Sequence, residues 1–305
     1  MDYGRYKIIR KIGEGTYAKV FKAFDHQTGQ LVALKSFQTL STAAIRELQT
    51  HSKISHINIV QLRDHYQSKT NYILVYDYMH TDLYCFISQI KYPLKEQQLK
   101  CFYKMIINAV YQLHSIGILH RDIKTSNFLM TDSYILKLGD MGSATVRSKR
   151  EVLTINVGTK WYKAPELLLG WKKYSFPADV WSVGCVLAEL AALSPIFKGG
   201  NDLEQLSMIS KLVGDITASE FSEVDIAKIE CCEHISLKEM IPWASNDTLS
   251  FVDRFLQLNP SKRITIEEAI NSDYLKNVEI DDIWKCPIEL WKHKQSNLLS
   301  FLDDY

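Results

Sequence analysis

The densest chemistry in the chain lies in His120-Arg121-Asp122-Ile123-Lys124-Thr125-Ser126-Asn127, where an acid, an amine and an amide fall between positions 122 and 127. In a polar loop such a trio can work on a phosphoryl group. Asp122 can accept a hydroxyl proton, Lys124 can neutralise the group in transfer, and Asn127 can hold a divalent cation. Farther on, Asp140 in Leu138-Gly139-Asp140-Met141-Gly142 follows a short strand-like run and can supply a second oxygen ligand for Mg2+. A D-x-G alone is a common turn; its place after Asn127 makes it informative.

Two earlier segments suit the same substrate. Gly13-Glu14-Gly15-Thr16-Tyr17-Ala18-Lys19-Val20 is a glycine-containing turn between strand-like runs, where backbone N–H groups can approach phosphate oxygens. A strand follows it, not the helix that a dinucleotide fingerprint requires. No GxxxxGK[ST] loop is found. Val32-Ala33-Leu34-Lys35 puts a lysine on a buried strand, and Glu47 on the inward face of the next helix can pair with it and orient its ammonium.

The elements that must position these groups change period along the chain. Tyr6–Ile12, Val20–Phe24, Leu31–Phe37, Val60–Tyr66 and Tyr72–Tyr76 read as antiparallel strands separated by turns. Ser41–Ile54 reads as one helix among them, with N-cap candidates Ser41 and Thr42 and with Ala44, Glu47, His51 and Ile54 on one face. After about residue 95 the pattern is helical. Leu99, Phe102, Tyr103, Ile106, Val110 and Leu113 mark one central helix, ending near Gly117; Val180, Val183, Gly184, Leu187 and Ala191 mark another. The expected fold is α+β and bilobal: a small antiparallel sheet with one helix (1–78), a larger α-helical lobe (79–276) and an extension (277–305) carrying Trp284 and Trp291. The switch at Met79–Leu83 is the expected hinge, and inter-lobe crevices favour ligands.

Composition agrees with a globular chain of 305 residues, 46% hydrophobic and 23% charged. The net charge of +1 provides no global basic field, so neither nucleic acid nor an anionic membrane is an expected partner. The N-terminus lacks an apolar signal core, and the most apolar stretch, Val180–Leu193, is short and interrupted by Ser182 and Glu189. Six scattered cysteines without a CxxC pair read as reduced thiols of an intracellular protein, nuclear or cytoplasmic.

In their order, these motifs resemble those of eukaryotic protein kinases, and more narrowly the cyclin-dependent kinase group, over roughly Tyr6 to Leu275. The resemblance implies a Ser/Thr kinase using ATP and Mg2+ on protein substrates in cell-cycle or transcription control. It implies that Gly13 and Gly15 cover the phosphates. Ile12, Val20, Ala33 and Leu129 would enclose adenine, and the backbone from Asp77 to Met79 would bond its edge, with Tyr76 as gatekeeper. Asp82 would meet the ribose. Lys35 with Glu47 would hold the α- and β-phosphates, Asn127 and Asp140 the metal, and Asp122, assisted by Lys124, would be the base. Glu166 would pair with Arg263, and Asp179 would brace the catalytic loop.

Regulation is implied in the same way. Ser41-Thr42-Ala43-Ala44-Ile45-Arg46-Glu47 resembles the helix that contacts a cyclin, and Thr16-Tyr17 resembles an inhibitory phosphorylation pair. Thr154, seven residues before Trp161, falls at the activating position, where a phosphate of nearly two charges would call on Arg46 and Arg121. The sequence also departs from the group. Thr145 stands where a third arginine is usual, with Arg147 close by; Ala18 replaces the third glycine, Met141 the usual Phe, and Thr125 the usual Pro. Leu40 replaces the proline opening the helix signature, and Gly158 and Lys163 replace residues that shape a proline pocket. A cyclin-activated kinase, a single-subunit kinase that activates cyclin-dependent kinases, and a scaffold without turnover all remain readings.

Overall fold

The computed structural model describes residues 2–15, 18–68, 70–147, 159–216 and 233–280, with side chains from residue 4 onward. A six-stranded antiparallel sheet forms the first lobe, from β1 (Asp2–Tyr3), β2 (Tyr6–Glu14), β3 (Ala18–Asp25), β4 (Gln30–Phe37), β5 (Leu62–Gln67) and β6 (Tyr72–Asp77), in the order β1-β2-β3-β4-β6-β5. One helix, α1 (Thr42–His51), interrupts it.

β6 lies between β4 and β5, and its continuous run Tyr-Ile-Leu-Val-Tyr reflects cover on both faces. Tyr72, Leu74 and Tyr76 pack with Phe37, Ala44 and Val60, whereas Ile73 and Val75 pack with Tyr6, Ala23, Val32 and Leu34. This is the two-residue alternation of a strand. Ser41 caps α1 by accepting the Ala44 N–H at 3.2 Å, and Ala44, Glu47 and His51 face inward. The helix stops at His51 rather than Ile54, because the bonding beyond Ser52 tightens to i→i−3, with Lys53 N–H to Thr50 O at 3.1 Å and Ile54 N–H to His51 O at 3.3 Å.

The sequence extends β5 back to Val60, but the strand starts at Leu62. The Val60 N–H donates instead to Leu138 O at 3.0 Å, Leu138 N–H to Asn58 O at 2.8 Å, and Asn58 Nδ2–H to Leu136 O at 2.9 Å. Residues 58–60 therefore tie the chain ahead of β5 to the second lobe.

Beyond the hinge come β7 (Thr81–Asp82), α2 (Leu83–Gln89), α3 (Glu96–Ser115), β8 (Ile118–Leu119), β9 (Phe128–Met130), β10 (Leu136–Leu138) and β11 (Thr145–Val146). They are followed by α4 (Pro165–Leu168), α5 (Phe176–Ala192), α6 (Asp202–Val213), α7 (Leu237–Met240), α8 (Asn246–Asp253) and α9 (Ile266–Ile270). The architecture is the α+β, bilobal one expected. α3 and α5 bury Phe102, Tyr103, Ile106, Val110, Trp181, Val183 and Leu187 in one large core. Gly184 belongs to that face for a steric reason: a Cβ there would lie 2.7 Å from Phe255 Cβ and 2.9 Å from Leu256 Cδ2. Among the described residues no helix is long and apolar enough to cross a membrane. Cys85 is exposed, Cys101 and Cys185 are buried, and none of these three is in a disulfide; Cys231, Cys232 and Cys286 lie outside the described residues.

Candidate active site

Strand register carries the first-lobe candidates to one place. Gly13 is opposite Val20, Val20 opposite Lys35, and Lys35 opposite Leu74, while Ala33 faces Tyr76. A Cβ at Gly13 would make only ordinary contact with Val20 at 3.6 Å, so the packing there does not demand glycine, and the Gly15 N–H donates to Ala18 O at 2.9 Å. Ile12 is 38% exposed. Across the hinge, Asp82 pairs with Leu129 in the β7–β9 ladder, and Asp82 Oδ1 accepts the Cys85 N–H at 2.8 Å, capping α2. Asp77 is fixed by Arg63 Nε on its carboxylate and by its own N–H to Gln61 O at 3.3 Å. Met79 is half-buried at the lobe boundary, and Tyr76 is buried against His51 with ring centroids 5.2 Å apart.

At the centre, Lys35 Nζ donates to Glu47 Oε1 at 2.7 Å and to Asp140 Oδ1 at 2.8 Å. Burial works against the Lys35 ammonium, but the two carboxylates outweigh it and raise its pKa above the ordinary value. Burial pushes Glu47 up to about 6 against the pull of Lys35. Partial desolvation also raises Asp140, yet the Lys35 ammonium brings it below the ordinary carboxylate range. Asp140 is held open to solvent in left-handed backbone at φ 55°, a conformation costing a non-glycine residue about 1–3 kcal/mol.

The catalytic-loop candidates form a second cluster. Asp122 Oδ2 accepts from Lys124 Nζ at 2.8 Å and from Asn127 Nδ2 at 3.2 Å, and Oδ1 accepts the Thr159 N–H at 3.1 Å. Asn127 Nδ2 also donates to Asp122 O at 2.7 Å, so its amide oxygen is the atom left for a cation. Buried His120 joins the clusters: its Nδ1 accepts the Asp122 N–H at 3.2 Å, which makes Nε2 the protonated nitrogen that donates to Gly139 O at 3.0 Å. Asp179 braces the loop, accepting the N–H groups of His120 at 2.8 Å and Arg121 at 2.9 Å. Burial would raise the Asp179 carboxyl, but His114 at 3.0 Å and these donors hold it below the ordinary value.

Sequence reasoning passed over a third cluster beneath the loop. Tyr162 OH donates to Glu189 Oε2 at 2.7 Å, Thr125 Oγ1–H donates to Glu189 Oε1 at 3.1 Å, and the two hydroxyls are 2.9 Å apart. Ser182 Oγ–H donates to Tyr162 O at 2.7 Å. The two polar interruptions of the apolar run Val180–Leu193 thus both hold Tyr162, and a lone acid in an apolar helix was the available signal. Glu166 and Arg263 meet twice at 2.7 Å with both side chains buried.

Other expectations fare differently. Arg46 is exposed on α1, and Arg121 Nε donates to Ser143 O at 2.6 Å. The Arg147 guanidinium is 5.9 Å from the Phe176 ring centroid. Thr16, Tyr17, Thr154, Gly158, Trp284 and Trp291 lie outside the described residues.

Hard oxygen donors suit Mg2+, and Asp140 with the Asn127 amide oxygen are such donors. Among the described residues, Asp140 Oδ2 has no hydrogen-bond partner, so this pair fits the metal.

The family model for the protein kinase domain matches residues 6–275. The chain is 34% identical over 292 residues to serine/threonine-protein kinase KIN28 of Saccharomyces cerevisiae, covering 91% of this chain and 94% of that protein. It is 33% identical over 287 residues to cyclin-dependent kinase 7 of Xenopus laevis, covering 90% of this chain and 82% of that one. To cyclin-dependent kinase C-2 C of Arabidopsis thaliana it is 37% identical over 284 residues, 88% of this chain but only 44% of the relative's length. A probable cyclin-dependent kinase of Dictyostelium discoideum is likewise matched over 44% of its length.

Proposed function

The chain belongs to the protein kinase family, and from that premise we propose that it is an active Ser/Thr kinase of the cyclin-dependent-kinase-like kind. It transfers the γ-phosphate of ATP to protein hydroxyls. The observation that carries this reading is Lys35 held between Glu47 at 2.7 Å and Asp140 at 2.8 Å, an ammonium kept charged where the first lobe meets the second.

The chain's own groups divide the work. Lys35 orients the α- and β-phosphates, and Glu47 fixes Lys35. Asp122 takes the proton of the attacking hydroxyl, its carboxylate aimed by the Thr159 N–H and by Lys124. Lys124, 2.8 Å from Asp122, offsets charge on the group in transfer. Asp140 and Asn127 would hold Mg2+, which when bound neutralises phosphate charge. Ile12, Val20, Ala33 and Leu129 enclose the adenine, with Tyr76 closing its rear. The lobes are assigned to 1–78 and 79–276. We assign it to cell-cycle or transcription control in the nucleus or cytoplasm, a reading supported by its likeness to cyclin-dependent kinases.

A second reading, a kinase that works without a cyclin-like activator, is favoured by one observation. β4 ends at Phe37 and α1 begins at Thr42, a connection short enough to keep Glu47 on Lys35 in the single chain. The test is phosphotransfer by the purified chain to Ser, Thr and Tyr peptides, alone and with candidate cyclins, against Asp122→Asn. Transfer to Ser and Thr that is lost in Asp122→Asn supports the kinase; full activity alone supports the second reading. Silence under every condition leaves a scaffold.

A further inference from the structure

The strip from Thr159 to Lys163 runs along the candidate base. The Thr159 N–H donates to Asp122 Oδ1 at 3.1 Å, and the Thr159 hydroxyl accepts from Lys124 Nζ at 3.1 Å. An extended peptide advances only about 3.3–3.6 Å per residue. A substrate whose hydroxyl sits on Asp122 therefore lays its next residue against this strip.

What that residue meets is basic. Lys160 is exposed, and half-buried Lys163 borders a narrow gap of about 10 Å³ shared with Asp122, Thr159 and Tyr162, which places it near the candidate base without opening a pocket. Trp161, between the lysines, packs part of its side chain on the core, which leaves less apolar face for a proline ring. α6 pins the strip, Gln205 Nε2 donating to Trp161 O at 3.1 Å. The same helix provides a carboxylate already in place: Asp202 Oδ1 is 3.4 Å from Lys160 Nζ.

Resting on the kinase reading, we propose that Lys160 and Lys163 select protein substrates with an acidic residue directly beside the phosphoacceptor, in preference to proline. Burial lowers the Lys163 pKa below the ordinary lysine value, with Lys160 adding to the fall and Asp202 and Asp122 opposing it. An ammonium already partly stripped of water loses less on meeting a substrate carboxylate. Asp202 occupies Lys160 in the absence of substrate and competes with it.

The test uses the full chain and a peptide set with Glu, Ala or Pro before or after a single serine. The readout is the ratio of kcat/KM for the Glu peptide to that for the Ala peptide, together with affinity of fluorescent versions measured by anisotropy. The ratio is expected at about two- to fivefold, the scale of one well-placed partly exposed ion pair. It should fall toward unity in Lys163→Ala and Lys160→Ala, be retained in Lys163→Arg, and rise in Asp202→Asn. A ratio near unity in the parent chain, or a Pro peptide preferred over Glu, overturns the proposal. Because anisotropy reads the preference without turnover, selective binding with no phosphotransfer upholds this inference while the kinase reading falls. Phosphotransfer without selectivity does the reverse.

Discussion

Tyr162 OH donates a 2.7 Å hydrogen bond to Glu189, an acid with no exposed surface on the central helix α5. The strip that flanks Asp122 is thereby anchored to the core of the larger lobe. Burial pushes the Glu189 carboxyl up to about 7 from an ordinary value of 4.5, against its hydrogen bonds to Tyr162 and Thr125. Between those values the unfolded chain releases a proton that the folded chain keeps. The group's contribution to stability is therefore complete below about 4.5 and lost as pH rises through about 7. Glu189→Gln removes this dependence. Its stability relative to the parent should rise by about 3 kcal/mol across the window, measured by urea unfolding at pH 5 and pH 7.5. A difference independent of pH would contradict the assignment.

The Glu166–Arg263 pair is buried on both sides, so removing one partner strands a charge. Arg263→Met should cost about 3–5 kcal/mol, and the double variant with Glu166→Gln should recover part of that loss. Denaturant midpoints decide it; a double variant less stable than Arg263→Met would show that the pair is not the source of the cost.

In the proposed reaction Lys35 and Glu47 act on the nucleotide as one unit. Lys35→Met should lower kcat/KM for ATP by roughly 100-fold or more, and Glu47→Gln, which keeps a hydrogen bond but not the charge, by about tenfold. The double variant should be little worse than Lys35→Met. Losses that multiply would mean that Glu47 does not act through Lys35.

At Gly184 a methyl group would meet Phe255 Cβ at 2.7 Å. Gly184→Ala should destabilise by about 1–3 kcal/mol, despite alanine's better helix propensity. An unchanged melting temperature would show that the chain after α8 can retreat.

Much of this was legible in the sequence because the chemistry is local. Asp122, Lys124 and Asn127 are neighbours in sequence, and the helical period alone turned Glu47 inward beside His51. The antiparallel strands and the two central helices followed from their patterns. The Tyr162–Glu189 contact, by contrast, joins residues 27 apart, and Thr125 to Glu189 spans 64; no periodicity encodes such a pairing. Val60 was misread for a related reason. Its β-branched side chain suits a strand, but where its N–H goes depends on Leu138, in the other lobe. His120 shows a third limit, since its tautomer is set by Asp122 and Gly139 only once the loop is folded.

The central claim is that Lys35, Glu47, Asp122, Asn127 and Asp140 converge on one magnesium nucleotide. The most direct measurement is calorimetric titration of the purified chain with a non-hydrolysable ATP analogue, with and without Mg2+. Parent, Lys35→Met and Asp140→Asn should be compared in parallel. Affinity should rise with Mg2+ in the parent, fall in Lys35→Met, and lose its metal dependence in Asp140→Asn. Equal affinity in all three chains, or none in the parent, would contradict the account.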